Sequence, residues 1–140
     1  MTAGYSGTPL PKKLGIGEGD LVSAIGAPDH FGELVAPLPS GVRMRADLRA
    51  RGPYDVIVVF ARSESELKKR FDRARVRLQP AGGLWVAWPK QSSPLATELR
   101  ESQVRAYGLS TGLVDNKICA IDKDWSGLRF VVRRQNRPTR

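Results

Sequence analysis

Apolar and polar positions divide this chain into short segments of two distinct periods. Apolar runs of strand length, bounded by glycine, proline or charge, occur at 20–26 (DLVSAIG), 55–61 (DVIVVFA) and 84–88 (LWVAW). Runs of that length without a polar face suit strands covered on both sides, as in a parallel sheet. The 55–61 run is the most strongly apolar and β-branched, which places it at the sheet centre. By contrast, 42–48 (VRMRADL) alternates apolar and polar residues, the pattern of an edge strand. Two further strands, 113–122 and 128–134, are joined by KDWSG, a short glycine-containing loop that favours an antiparallel hairpin.

Helical spacing fills the gaps between these runs. In 63–78, Leu67, Phe71, Ala74 and Leu78 draw one narrow apolar stripe, and Ser63 with Glu66 has the spacing of a capping box. The QPAGG that follows supplies proline and glycine to end that helix. A weaker helix is expected over 97–112, interrupted by Gly108 and closed by Gly112. Thr8 and Pro9 predict the cap and first residue of a short N-terminal helix that Gly15 stops. Asp29 is placed to cap another short helix, which the prolines at 37 and 39 end. Strands alternating with helices, then a terminal hairpin, imply a small Rossmann-like α/β domain: a mostly parallel sheet with helices on both faces. Residues 1–134 are expected to form that domain, and 135–140 a flexible basic tail beyond the last strand.

The succession YDVIVVF, helix, LQPAGGLWVAW, helix and closing hairpin resembles the second half of the class I S-adenosylmethionine-dependent methyltransferase fold. That resemblance covers about residues 20 to 134 and implies the strand order 2-1-3-4-6-5, with the last strand inserted antiparallel. Four blocks, YSGTPLPKKLGI, GGLWVAWPK, GLVDNKICAID and DWSGLRFV, together resemble a family of small bacterial proteins classed only as a domain of unknown function. That family carries no established activity, so the second resemblance implies a fold and leaves function open.

Composition narrows the setting. The 140 residues suit one domain, and no apolar run approaches the roughly 20 residues of a membrane span. The N-terminus lacks the apolar stretch of a signal peptide, and the single cysteine, Cys119, permits no internal disulfide; both point to the cytoplasm. Cys119 is expected to be a small buried apolar residue. The 23 basic residues against 14 acidic ones give a net charge of +9, which attracts polyanions. Lys68, Lys69, Arg70, Arg73, Arg75 and Arg77 on the 63–78 helix, with Arg133, Arg134, Arg137 and Arg140 near the C-terminus, are candidates to meet nucleic acid or an acidic protein, although a solvated face is the favoured account of them.

Parallel strands deliver their C-terminal ends to one edge, where such folds take ligands. Gly26, His30, Arg62, Trp88, Lys90, Asp124 and Trp125 all stand at or after strand ends and are expected to line one cleft there. Trp85 and Trp88 lie three apart and must face opposite sides of the sheet, with Trp85 assigned to the core and Trp88 to the cleft rim because Pro89 follows it. A cofactor such as S-adenosylmethionine needs a glycine-rich turn after the first strand and an acid after the second. Here only Gly26 and, 21 positions on, Asp47 answer to that pattern. His30 as a general base needs an orienting carboxylate, for which Asp29 and Asp124 are the candidates. Asp122 and Asp124 flank a turn and are expected to bond their own backbone; no metal site is expected. The leading expectation is therefore a non-enzymatic binding or regulatory domain without a cofactor, on a degenerate methyltransferase-like scaffold. A methyltransferase or other small-ligand enzyme and a nucleic-acid-binding module are the alternatives.

Overall fold

The computed structural model describes residues 7–138; Arg140 and the first two residues of the YSGTPLPKKLGI block lie outside them. Six strands form one sheet in the order β2-β1-β3-β4-β6-β5. In chain order the elements are α1 (Leu10–Leu14), β1 (Leu21–Ile25), α2 (Phe31–Leu34), β2 (Arg43–Arg45), β3 (Tyr54–Phe60), α3 (Glu64–Arg75), β4 (Leu78–Pro89), α4 (Glu101–Ser110), β5 (Leu113–Ala120) and β6 (Trp125–Val132). The first four strands of the order run parallel, and β6 inserts antiparallel between β4 and β5. This is the order the sequence resemblance implies, with β2 at an edge and β3 inside the sheet.

Each face of the sheet carries its own core. On one side, Ile57, Val59, Leu84, Val86, Trp88, Leu128 and Phe130 pack under Leu67, Phe71 and Ala74 of α3 and Val104 of α4. On the other, Val22, Val56, Val58, Trp85, Ala87 and Trp125 meet Leu10 and Leu14 of α1 and Phe31 of α2. The period of two along β3 and β4 sends successive apolar side chains to these two layers, which is why both strands read as unbroken apolar runs.

Local boundaries differ from the sequence pattern for identifiable reasons. The cap of α1 is Pro9 rather than Thr8, and Gly15 closes the helix in the left-handed region at φ 80°. His30, not Asp29, precedes α2, without a side-chain cap. Ser63 caps α3 by accepting from the Glu66 N–H, but the Glu66 carboxylate accepts from Arg62 rather than completing the box at Ser63. Leu78 belongs to β4, not to the α3 stripe. The chain rejoins the sheet at once, and a register shift absorbs Pro80 and its neighbours while the ladder passes from Leu78 opposite Tyr54 to Gly83 opposite Val56. Helix α4 begins only at Glu101, where the Gln103 side chain accepts the Arg100 N–H. Strand β6 starts at Trp125, earlier than the KDWSG loop suggests, because the Asp122 carboxylate accepts the N–H groups of Asp124 and Trp125 and closes the hairpin there. After β6, 134–136 make a turn of 3₁₀ helix, and Arg137 Nε donates to the Val132 carbonyl.

Two corrections concern packing. Gly108, read as a weakness in α4, is where that helix approaches β6: a Cβ there would sit 2.0 Å from Cε2 of the fully buried Phe130. Trp88 is not a rim residue. It is only 5% exposed, and Pro89 does not end the pairing but stands opposite Trp125 in the β4–β6 ladder. Trp85 and Trp88 do face opposite sides, Trp85 donating its Nε1–H to the Leu14 carbonyl at 3.0 Å.

Gly108→Ala should destabilise the domain by about 1–3 kcal/mol through overpacking, although alanine is worth roughly 1 kcal/mol more than glycine in an unconstrained helix. A rise in the urea midpoint would contradict the close approach. Trp85→Ala and Trp88→Ala should each cost about 3–5 kcal/mol by chemical denaturation, since both rings are buried; a mild Trp88→Ala would return that ring to the surface.

Candidate functional site

At the C-terminal edge of the parallel strands, β1 turns at Gly26, β2 runs on to Asp47, and β3 passes through Arg62 into α3. Gly26 sits at φ 73°, a conformation that favours glycine. Beside it lies the guanidinium of Arg70. From α3 this side chain reaches back over the strand ends, its Nη1 donating to the Phe60 carbonyl and its Nη2 3.7 Å from the Glu66 carboxylate. The contact with Gly26 is tight: a Cβ on that glycine would fall 2.2 Å from Arg70 Nη1.

Arg70 and Glu66 thereby stand between two depressions and line both. The larger, about 660 Å³, lies between the ends of β1 and β2 and the wall of α3; Asp47, Arg49, Lys69 and Arg73 surround an apolar floor of Ile25, Ala46 and Leu48. The smaller, about 390 Å³, is bounded by Gly26, Asp29, Phe60, Arg62 and Trp125. The Arg62 guanidinium lies 5.5 Å from the Trp125 ring, which packs edge-to-face on Phe60.

Of the seven residues expected to line one cleft, Gly26, Arg62 and Trp125 meet in the smaller depression. Trp88 is excluded because its ring enters the core on the opposite face from Trp125. The Lys90 N–H donates to the Asp124 carbonyl, and the Asp124 carboxylate accepts from Ser93, which ties the β4 end to the hairpin without aiming either side chain at the depression. His30 does have a carboxylate partner, but it is Asp122: Nε2 lies 3.0 Å from Oδ2. Asp122 is buried and His30 half-exposed. The expected self-bonding of the turn aspartates holds for Asp122, whose Oδ1 accepts two backbone N–H groups.

Asp47 borders the larger depression and Gly26 the smaller, so the two residues matching a cofactor pattern do not line one depression. The basic residues do not act as one set. Lys69 and Arg73 face the larger depression, whereas Lys68 lies 5.9 Å from the Tyr107 ring. Arg77 donates to the Ala50 carbonyl and stacks on Tyr54. Arg133 and Arg134 are exposed at the turn after β6. Cys119 is partly exposed in edge strand β5, and burial pushes its thiol pKa up.

Arg70 was expected only as one more cation of a basic helix facing a polyanion, whereas its guanidinium turns back to the Phe60 carbonyl and Gly26. Its position was nonetheless informative: it adjoins Phe71 and follows Leu67 by three, at the border of the apolar stripe facing the sheet. The pairing of His30 with Asp122 spans 92 positions and left no local signal.

Solved structures with this arrangement include S-adenosylmethionine-dependent methyltransferases. One from Aquifex aeolicus, described as SAM-dependent, superposes with a TM-score of 0.57 at 15% identity over 86% of each chain. Fibrillarin from Aeropyrum pernix, with natively bound S-adenosylmethionine, gives 0.57 at 12% identity over 91% of this chain and 70% of its own. Magnesium protoporphyrin IX methyltransferase from Synechocystis, with bound S-adenosylhomocysteine, gives 0.54 at 13% over 82% and 75%. The chain therefore has the class I methyltransferase fold. No protein-family model and no curated protein matches it, and the finer resemblance to a bacterial family of unknown function rests on the four sequence blocks alone.

The residues present do not fit S-adenosylmethionine as they stand. Backbone approach at Gly26 is taken by Arg70. Four cations against two carboxylates around the larger depression also oppose a sulfonium ligand. No helix among the described residues is long and apolar enough to cross a membrane.

Asp122→Ala should cost about 1–3 kcal/mol by leaving buried N–H groups unpaired. An unchanged denaturation midpoint would show that the hairpin closes without it.

Proposed function

We propose that this chain is a non-enzymatic ligand-binding or regulatory domain that uses the strand-end edge of a methyltransferase fold without methyl transfer. The supporting observation is Arg70. Its guanidinium is anchored on the Phe60 carbonyl and lies against Gly26, where a methyltransferase-type site needs open backbone. Fold alone does not carry activity, and the groups that would grip the cofactor are reduced here to one glycine and one exposed aspartate that border different depressions.

A second reading, S-adenosylmethionine binding after Arg70 swings aside, draws support from the cofactor bound in the neighbouring structures and from Asp47 following the second strand. Calorimetric titration with S-adenosylmethionine and S-adenosylhomocysteine separates the two. No saturable binding is expected, and no thermal shift; a ligand at a hundred times its dissociation constant would add about 2.7 kcal/mol. Micromolar affinity that Asp47→Ala weakens would establish the second reading instead.

A further inference from the structure

The larger depression has a composition that its fold does not require. Ser65, Lys69 and Arg73 follow one another at intervals of four along α3, so they form a single column on the wall facing the depression. Two cations one helical turn apart repel each other, yet among the described residues neither makes a side-chain hydrogen bond or ion pair. Other arginines of α3 and α4 do meet acids: Arg75 lies 3.8 Å from Asp72, and Arg105 is held by Glu101 of its own helix and Asp115 of β5 at 2.8 and 3.0 Å. Arg49, across the depression, also lacks a side-chain partner among the described residues, its backbone N–H alone donating to Asp47.

Three unpaired cations thus converge on a concavity of about 660 Å³. Its floor is apolar, with Ile25 and Leu48 packed against the core, and Asp47 offers an exposed carboxylate at the rim. Each part selects a different portion of a ligand. Cations select an anion of more than one charge, best met by a phosphate chain. An apolar floor selects a flat hydrophobic ring, and the carboxylate a hydroxyl donor between ring and phosphate. A diffuse polyanion interface would need the charge spread along a convex surface, whereas Lys68 and Arg77, the other helix cations, turn to Tyr107 and Tyr54. The volume lies within the roughly 300–1,000 Å³ of small-molecule sites.

We infer that this depression binds a nucleoside phosphate, with the base on Ile25, Ala46 and Leu48, the ribose near Asp47, and the phosphates among Arg49, Lys69 and Arg73. The inference rests on the reading of this edge as a ligand site. Arg70, bonded to the Phe60 carbonyl, closes the inner end and need not move.

The test is calorimetry of the full chain at near-physiological salt with ADP, GDP, CDP and UDP, alongside pyrophosphate, adenosine and S-adenosylmethionine. At least one nucleoside diphosphate should saturate, with pyrophosphate or its parent nucleoside binding about tenfold more weakly or worse. Lys69→Ala and Arg73→Ala should each weaken it about tenfold, as loss of a charge-assisted contact does, while Arg134→Ala leaves it unchanged. Circular dichroism confirms folding of these surface variants. Silence from all four diphosphates overturns the inference, as does pyrophosphate binding as tightly as the best nucleotide or equal weakening by Arg134→Ala, which signals charge attraction alone. Saturation by S-adenosylmethionine overturns the underlying reading of the edge instead, so the two failures are distinct.

Discussion

The structure depends on the burial of β3 and β4 on both faces. Val56, Ile57, Val58 and Val59, and on β4 Leu84, Trp85, Val86 and Ala87, are almost wholly withdrawn from water, and no one-sided fold can do that for neighbouring residues of a strand. Helices must therefore cover both sides, and parallel pairing follows from returning each strand to the same edge through a helix. The strand ends that define the candidate site are thus a by-product of how the core is sealed. What distinguishes this chain from others of its architecture is the side chains placed on that edge.

Where periodicity is strong, the elements were legible. β3, α3 and the two-faced placement of Trp85 and Trp88 follow from spacing alone, and the strand order came from the resemblance in element succession. Misreadings arose where a tertiary contact overruled a local preference. Pro80 and its neighbours looked like a helix stop and proved to be the bulged start of β4. Gly108 looked like a defect and is a point of contact with Phe130. KDWSG looked like a turn, yet Trp125 already pairs with Pro89.

The candidate site was legible to a lesser degree. Gly26, Arg62 and Trp125 were brought together because each follows a strand end, which topology dictates. Trp88 failed because adjacency to a strand end does not decide which face a ring enters. Arg70 was misassigned for the opposite reason: it lies within a basic helix, where composition suggests a polyanion or solvent, and only the length of its side chain lets it reach the strand ends. Long cations at the border of an apolar stripe can act at a distance that sequence spacing does not reveal.

The contact of His30 with Asp122 has a mechanical consequence. It fastens the loop between β1 and α2 to the hairpin between β5 and β6, while Asp122 is itself tied to the hairpin backbone. Two loops held by one another do not part independently.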